Sequence, residues 1–315
     1  MSRIRVVFCG TPRFAVPSLK HLLEQKDFEI AGVFTQPDRP RGRGQEISYS
    51  PVKELALAEN IPVFQPAKVR APEVGEQLRK LAPDVIVIIA YGQIIPARLL
   101  GIPKYGWINL HASLLPKYRG AAPINWAIVN GEARTGLTTM RIDAGMDTGE
   151  MLLQEELAIG ADETAPQLMV RLAEVGAPLM VKTLRGLVAE TMRGRAQNHA
   201  QATLAPPLKR EDGRIEWTRP AEEIYNRMRG FAPWPGAYTE FRGQTSHLSG
   251  KPVSNEKVEA APGTILAARG TVRVVCGGGS LLELGNVKLE GRKEITAAEF
   301  ANGARLQAGE RFGKQ

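Results

Sequence analysis

Apolar and polar positions follow two different habits along this chain, and the change falls near residue 208. Before it, short apolar runs of strand length alternate with stretches of helical period. Residues 4–10 (Ile-Arg-Val-Val-Phe-Cys-Gly) end in Gly10-Thr11-Pro12, which reads as a buried strand entering a turn. Val16, Leu19, Leu22 and Leu23 then share a helical face, and 30–35 reads as a second strand. Such a β-α-β opening implies a parallel sheet. Helices are expected at 51–59 and 74–81, with a short strand at 61–63. Residues 83–90 are the most apolar run in the chain, so that strand belongs mid-sheet, covered on both faces. Ligands in open α/β sheets lie outside the carboxyl ends of strands, which makes Ala90, Tyr91, Gly92 and Gln93 a candidate pocket wall. The strand at 107–110 delivers Asn109 and His111 at its own carboxyl end. A helix at 123–130 stops at Gly131. Residues 135–142 and 151–157 read as a hairpin-style pair. A long helix follows from 162, with an acidic first turn and a kink expected at Pro178.

Residues 193–208 have no period and read as a linker between domains at 1–192 and 209–315; His199 within it is expected to be exposed. From 209 onward the pattern is short alternating segments (238–242, 263–267, 272–276, 281–287) between Gly/Pro-rich turns. That is the pattern of a small antiparallel barrel. Helices are expected there at 222–230 and 297–303.

Composition narrows the classes. A chain of 315 residues with 43% hydrophobic residues has room for two cores. The formal charge of +8 fits a polyanionic partner, though many soluble enzymes are as basic. Residues 209–315 carry 17 Lys+Arg against 13 Asp+Glu, and the preceding 208 carry 24 against 20. The excess is therefore denser in the smaller part. Two cysteines, Cys9 and Cys276, allow no disulfide framework and no paired metal spacing. Cys9 is expected to pack as a small hydrophobe. The absence of a leader pattern or a membrane-length apolar run makes a reducing cytoplasm the default. No Gly-x-Gly-x-x-Gly follows the first strand, which disfavours a dinucleotide site.

Residues 36–50 stand apart. Gln36-Pro37-Asp38-Arg39-Pro40-Arg41-Gly42-Arg43-Gly44 is too polar to pack and too Gly-rich for a helix. It reads either as a solvated surface loop or as a flexible basic finger for phosphates, to which Arg forks are suited.

The candidate chemistry lies in 107–147. A carboxamide at Asn109 can donate to a developing oxyanion. His111 can do the same when protonated, or move a proton. A carboxylate nearby, Asp147 or Asp143, would favour the imidazolium form, and spacing does not choose between them. No Ser or Cys sits in a nucleophile elbow, and one His without helically spaced carboxylates does not make a metal site. Direct acyl-type transfer through a tetrahedral intermediate is the chemistry these residues suggest.

Asn109-x-His111, then Ser113-Leu114-Leu115-Pro116, Tyr118-Arg119-Gly120 and Asp143-x-x-x-Asp147-x-Gly149, resembles the formyltransferase family that uses 10-formyltetrahydrofolate. The opening Phe8-Cys9-Gly10-Thr11-Pro12 resembles the family's own opening, and the 36–50 stretch and Arg229-Gly230-Phe231-x-Pro233-Trp234-Pro235-Gly236 resemble its tRNA-modifying branch. The resemblance covers essentially the whole chain. It implies an α/β, Rossmann-like parallel-sheet domain followed by an OB-like barrel that binds tRNA. It implies that Asn109 and His111 stabilise the formyl oxygen and that Asp147 pairs with His111. It gives the folate site to Ser113, Leu114, Leu115 and Pro116, with Ile88, Ala90, Tyr91, Gly92, Gln93 and Gly145. It gives tRNA contacts to Arg39, Arg41 and Arg43, and to a basic barrel face starting at Lys209 and Arg210. Lys251, Arg269, Lys288, Arg292 and Lys293 are further candidates. The implied partners are 10-formyltetrahydrofolate as formyl donor and initiator methionyl-tRNA as acceptor, with no metal, no membrane and a monomeric enzyme. The competing readings are a formyltransferase for an amino sugar nucleotide or a purine precursor, and a non-catalytic RNA-binding module.

Overall fold

The computed structural model describes residues 3–41, 46–268, 270–307 and 309–313; at 40–41 and 46–47 it describes the backbone alone. The chain forms two compact units. The first comprises Met1–Pro123, Arg134–Ala158 and Leu168–Pro206, and the second Ile124–Ala133, Ile159–Gln167 and Pro207–Gln315.

In chain order the strands of the first unit are β1 (Ile4–Gly10), β2 (Phe28–Phe34), β3 (Arg39–Arg41), β4 (Glu46–Ser48), β5 (Val63–Phe64), β6 (Val85–Ile89), β7 (Trp107–His111), β8 (Arg119–Gly120), β9 (Arg134–Arg141), β10 (Met151–Ala158) and β11 (Leu204–Ala205). Seven of them make one sheet in the order β10-β9-β7-β6-β1-β2-β5. The five from β7 to β5 are mutually parallel, and β9 and β10 are antiparallel additions at one edge. All five residues of β6 are buried, as its unbroken apolar run requires for a central strand. The chain turns from one half of the sheet to the other between β1 and β6. Their carboxyl ends are tied there by Thr11 Oγ1, which donates to the Tyr91 carbonyl at 3.3 Å.

The helix Val16–Leu23 buries Leu19 and Leu22 completely, each side chain gaining about 1.5–3 kcal/mol. Pro51–Ala58 begins on Ser50, whose Oγ accepts from Lys53 N at 3.1 Å, a cap that contributes about 1 kcal/mol. The 24-residue helix Ala165–Val188 runs on through Pro178. Its buried Thr183 satisfies its hydroxyl on the Leu179 carbonyl and on Thr139 of β9. The 36–50 stretch, expected as a loop, has paired arms: β3 and β4 form an antiparallel ladder, Arg39 opposite Ser48. Each arm has only three residues, too few for a period-two pattern to register, which is why alternation gave no sign of it. The base of this hairpin is held by Asp38, which accepts from both Lys53 and Gln65.

Residues 193–206 are stitched to the first unit. Arg195 exchanges backbone hydrogen bonds with Met151, and β11 runs parallel to β8. Aperiodic sequence hid this, because the segment uses isolated bridges in place of a strand or helix face.

In the second unit the strands continue as β12 (Tyr238–Phe241), β13 (Gln244–Val253), β14 (Ile265–Ala268), β15 (Thr271–Val275), β16 (Leu281–Leu289) and β17 (Ile295–Thr296). Their antiparallel order is β12-β13-β16-β15-β14, with β17 on β16. β13 was not legible: Gln244-Thr-Ser-His-Leu-Ser-Gly-Lys-Pro-Val carries few apolar residues, although Ser246 and Leu248 are buried. Among the described residues the end strands β12 and β14 do not pair with each other. The segment 310–313 stands between them, Gly313 N donating to Glu240 O and Ile265 N to Glu310 O. The expected barrel is thus a sheet not closed by strand pairing, its ends linked through 310–313 by one hydrogen bond to Glu240 on one side and a two-bond antiparallel bridge between Thr264 and Arg311 on the other. Trp217, Phe241, Phe300 and Phe312 fill its core. The helix Ala221–Gly230 carries Arg229, which donates to Asn226, Gly160 and Glu163. Among the described residues no helix is long and apolar enough to cross a membrane.

Candidate active site

Asn109 and His111 are two apart on β7, so both project from one face of the sheet. Asn109 lies beside Ile88 of β6 and Met140 of β9. It is half-buried, and among the described residues its carboxamide makes no hydrogen bond. A carboxamide held on a central strand and left unpaired is a donor ready for a ligand atom.

His111 is buried, at 6% exposure. Its Nε2 lies 2.9 Å from the Tyr118 carbonyl. A carbonyl only accepts, so Nε2 carries a proton, and any second proton sits on Nδ1. Nδ1 faces Asp147 Oδ2 at 3.6 Å, within ion-pair range and longer than a hydrogen bond.

Asp147 reaches this place by an indirect route. The loop 142–150 leaves β9 beside the amino end of β7, where Ile142 N donates to Trp107 O. It then doubles back to bring Asp147 to the carboxyl end. Asp147 adopts φ +53°, an uncommon conformation for a residue with a side chain. Its Oδ2 accepts from Gly120 N at 2.8 Å. Gly120 has φ +121°, and a Cβ there would sit 2.6 Å from the Ala205 carbonyl, so only glycine brings this N–H to the carboxylate. Gly149 closes the loop, where a Cβ would fall 1.8 Å from the Arg141 carbonyl. Asp143 has a different task. Its Oδ1 accepts from Gly145 N and Thr148 Oγ1, which makes it an exposed turn residue.

Gln197 had no sequence signal, and Arg119 stood only within the Tyr118-Arg119-Gly120 motif with no role given to it. The Gln197 Nε2 donates at 2.8 Å to both the Asp147 and Gly149 carbonyls. Its Oε1 accepts from Arg119 Nε and Nη2 at 3.0 and 2.7 Å. Arg119 is 7% exposed and also donates to Nδ1 of His199, which is exposed as expected. Gln197 sits in an aperiodic segment 50 residues from Asp147 and 78 from Arg119, so no local spacing could point to it.

The other candidates divide. Ser113 is fully buried and spends its hydroxyl on the Lys117 carbonyl; Leu115 is buried, with its N–H on Thr138. Leu114 and Pro116 are half-buried, and the Leu115–Pro116 bond is cis. Ile88 is buried in the core. Ala90 and Gly92 have φ +48° and +84° and are exposed, so this turn presents backbone to solvent. Tyr91 is buried, and its carbonyl is taken by Thr11 and Gln36. Gln93 is turned inward, bonded to Val69 N and Pro66 O. Gly145 lies exposed beside Met146, which is 63% exposed. Of the basic candidates, Arg39, Lys209 and Arg210 are exposed. Arg43 and Arg269 lie outside the described residues, as does the side chain of Arg41. Lys251 is committed to Asp162 at 2.6 Å. Lys288 and Arg210 face His247, whose pKa is held below the usual histidine range, first by burial and then by these two positive charges.

Comparison with known proteins gives one consistent picture. Residues 2–184 match the family described as formyl transferase, and residues 207–305 match the formyl transferase C-terminal domain. A methionyl-tRNA formyltransferase of Solibacter usitatus is 54% identical over 312 residues, covering 99% of each chain. One of Geobacter sulfurreducens is 50% identical, covering all of this chain and 98% of that one. Among solved structures, a sugar 3N-formyl transferase with dTDP and 5-N-formyl-THF shares the fold at TM-score 0.66 and 20% identity, over 93% of this chain and all of that one. An N-formyltransferase from Helicobacter canadensis, in complex with folinic acid and dTDP-3-aminofucose, gives TM-score 0.65 at 20% identity, over 89% and 98%.

Proposed function

This chain belongs to the formyl transferase family, and we propose that it moves the formyl group of 10-formyltetrahydrofolate to the α-amino group of methionine on initiator tRNA, giving N-formylmethionyl-tRNA. The observation that carries this reading is similarity at about half identity along the full length, second unit included, to relatives named methionyl-tRNA formyltransferase. The sugar enzymes share the fold at 20% identity, which does not extend to their substrates.

The chemistry asks little of the acceptor. An α-amino group has a pKa of about 7.7–8.0, so much of it is neutral near pH 7.5 and attacks without a strong base. Its nitrogen bonds to the formyl carbon, and negative charge builds on the formyl oxygen. The free carboxamide of Asn109 donates to that oxygen, and His111, two residues along on the same face, supports the same charge. The attacking nitrogen sheds a proton, the bond from the formyl carbon to N10 of the folate breaks, and N10 gains a proton. His111 and Asp147 face each other through Nδ1 and Oδ2 and carry that proton between the two nitrogens. No covalent enzyme intermediate is needed, so orientation and charge stabilisation make up most of the catalysis.

The exposed backbone of Ala90 and Gly92, with Gly145 and the half-buried Leu114 and Pro116, supports a folate contact made mainly through main chain and apolar surface. Ile94, 91% exposed just beyond that turn, and Met146 add apolar area suited to an aromatic ring. Ser113, Leu115, Tyr91 and Gln93 hold these walls from behind. Arg39, Arg41, Arg43, Lys209 and Arg210 contact tRNA phosphates. A monomer in the cytoplasm, where charged initiator tRNA is used, completes the proposal.

Purified protein with 10-formyltetrahydrofolate should formylate methionyl-initiator-tRNA and leave a dTDP-amino sugar untouched. Turnover of the sugar nucleotide without formylation of the tRNA would overturn the reading.

A further inference from the structure

We propose that Gln197, together with Arg119, is a positioning residue for formyl transfer, acting as a strut that fixes Asp147 against His111; this rests on reading those two as the proton-handling pair. Gln197 uses its whole hydrogen-bonding capacity. Both amide hydrogens go to the Asp147 and Gly149 carbonyls, and both oxygen lone pairs receive Arg119. A guanidinium only donates and a carbonyl only accepts, so the amide can sit one way round.

The strut spans the centre because of what adjoins its ends. At one end it grips the main chain of Asp147, whose φ of +53° must be imposed by its surroundings. At the other it grips Arg119, whose chain neighbours are the two groups that orient the pair. The Tyr118 carbonyl takes the His111 Nε2 proton, and Gly120 N–H binds Asp147 Oδ2. One side chain thus ties the imidazole's acceptor and the carboxylate's donor to the loop that carries the carboxylate. Arg119 is suited to this role because it is buried with no carboxylate within ion-pair distance among the described residues. Its charge is answered by an amide oxygen and by His199 Nδ1, so it does not compete with His111 for Asp147.

The test compares Gln197→Glu with Gln197→Ala, alone and combined with Asp147→Asn, in single-turnover formyl transfer to charged initiator tRNA. Glu keeps an acceptor for Arg119 and so keeps the fold, while losing both donors to the Asp147 and Gly149 carbonyls. The expected result for Gln197→Glu is a drop in the transfer rate on the order of tenfold to a hundredfold, as for an ångström-scale misplacement of a catalytic group. The KM for 10-formyltetrahydrofolate should stay near wild type. In the Asp147→Asn background the same change should add little, because the group it positions is already disabled. A wild-type rate in Gln197→Glu, or a loss that multiplies fully with Asp147→Asn, would overturn the proposal. So would loss of the cooperative thermal transition in both Gln197 variants, since the residue would then hold the fold and not the pair. An inactive wild-type protein would instead refute the functional reading itself.

Discussion

Asp147 Oδ2 stands 3.6 Å from His111 Nδ1, while Asp143 in the same loop spends its carboxylate on Gly145 N and Thr148 Oγ1. The loop therefore holds one acid that faces the imidazole and one turn-forming acid. Asp147→Asn should lower the formyl-transfer rate by about a hundredfold or more, the usual worth of a positioned proton carrier. Asp143→Ala should cost about 1 kcal/mol of stability through its turn hydrogen bonds and leave the rate near wild type. Stopped-flow transfer and thermal denaturation on both variants separate the two roles.

Among the described residues the Asn109 carboxamide makes no hydrogen bond, so its removal should cost chemistry and not folding. Asn109→Ala is expected to reduce kcat on the order of a hundredfold to a thousandfold, as for loss of an oxyanion donor. Its melting temperature should stay within a degree or two of wild type, roughly what a surface-like change produces. A large loss of stability would mean that the carboxamide has a structural partner.

The basic residues should not contribute equally to tRNA use. Arg39, Arg41 and Arg43 replaced together by Ala should raise the KM for tRNA and flatten its dependence on salt. Arg210→Ala should reduce the salt slope by about one unit, whereas Lys251→Ala should change it little, because Lys251 is paired with Asp162. Affinity measured between low and moderate ionic strength reports each slope.

Both thiols should resist alkylation in the native state. Burial pushes the Cys9 thiol far up, and pushes that of Cys276 up to about 12. The thiolate is the reactive form, and it is scarce well above neutral pH when the pKa is raised. Iodoacetamide at pH 8 should label neither cysteine until denaturant unfolds the chain; rapid native labelling would contradict their burial.

What could be read from sequence depended on how local its cause was. The β6 run Val85–Ile89 announced a central strand because burial on both faces leaves no polar position. Asn109 and His111 were placed because strand alternation and the carboxyl-end rule are both local. The choice between Asp143 and Asp147 rested on resemblance, since only the return of the 142–150 loop brings the second acid to the imidazole. Gln197 and Arg119 gave no sign of their pairing, because the bonds join positions 78 apart in an aperiodic segment. In the second unit β13 escaped notice because its inward positions include Ser246, and the open edge between β12 and β14 follows from backbone bonds to 310–313 that side-chain pattern does not encode.

The most direct test of the account is a single-turnover assay of formyl transfer from 10-formyltetrahydrofolate to methionyl-initiator-tRNA, run on wild type and His111→Ala with tRNA affinity measured alongside. The account predicts N-formylmethionyl-tRNA from wild type, loss of transfer by about a hundredfold or more in the variant, and tRNA affinity unchanged. Transfer at the wild-type rate by His111→Ala would contradict it.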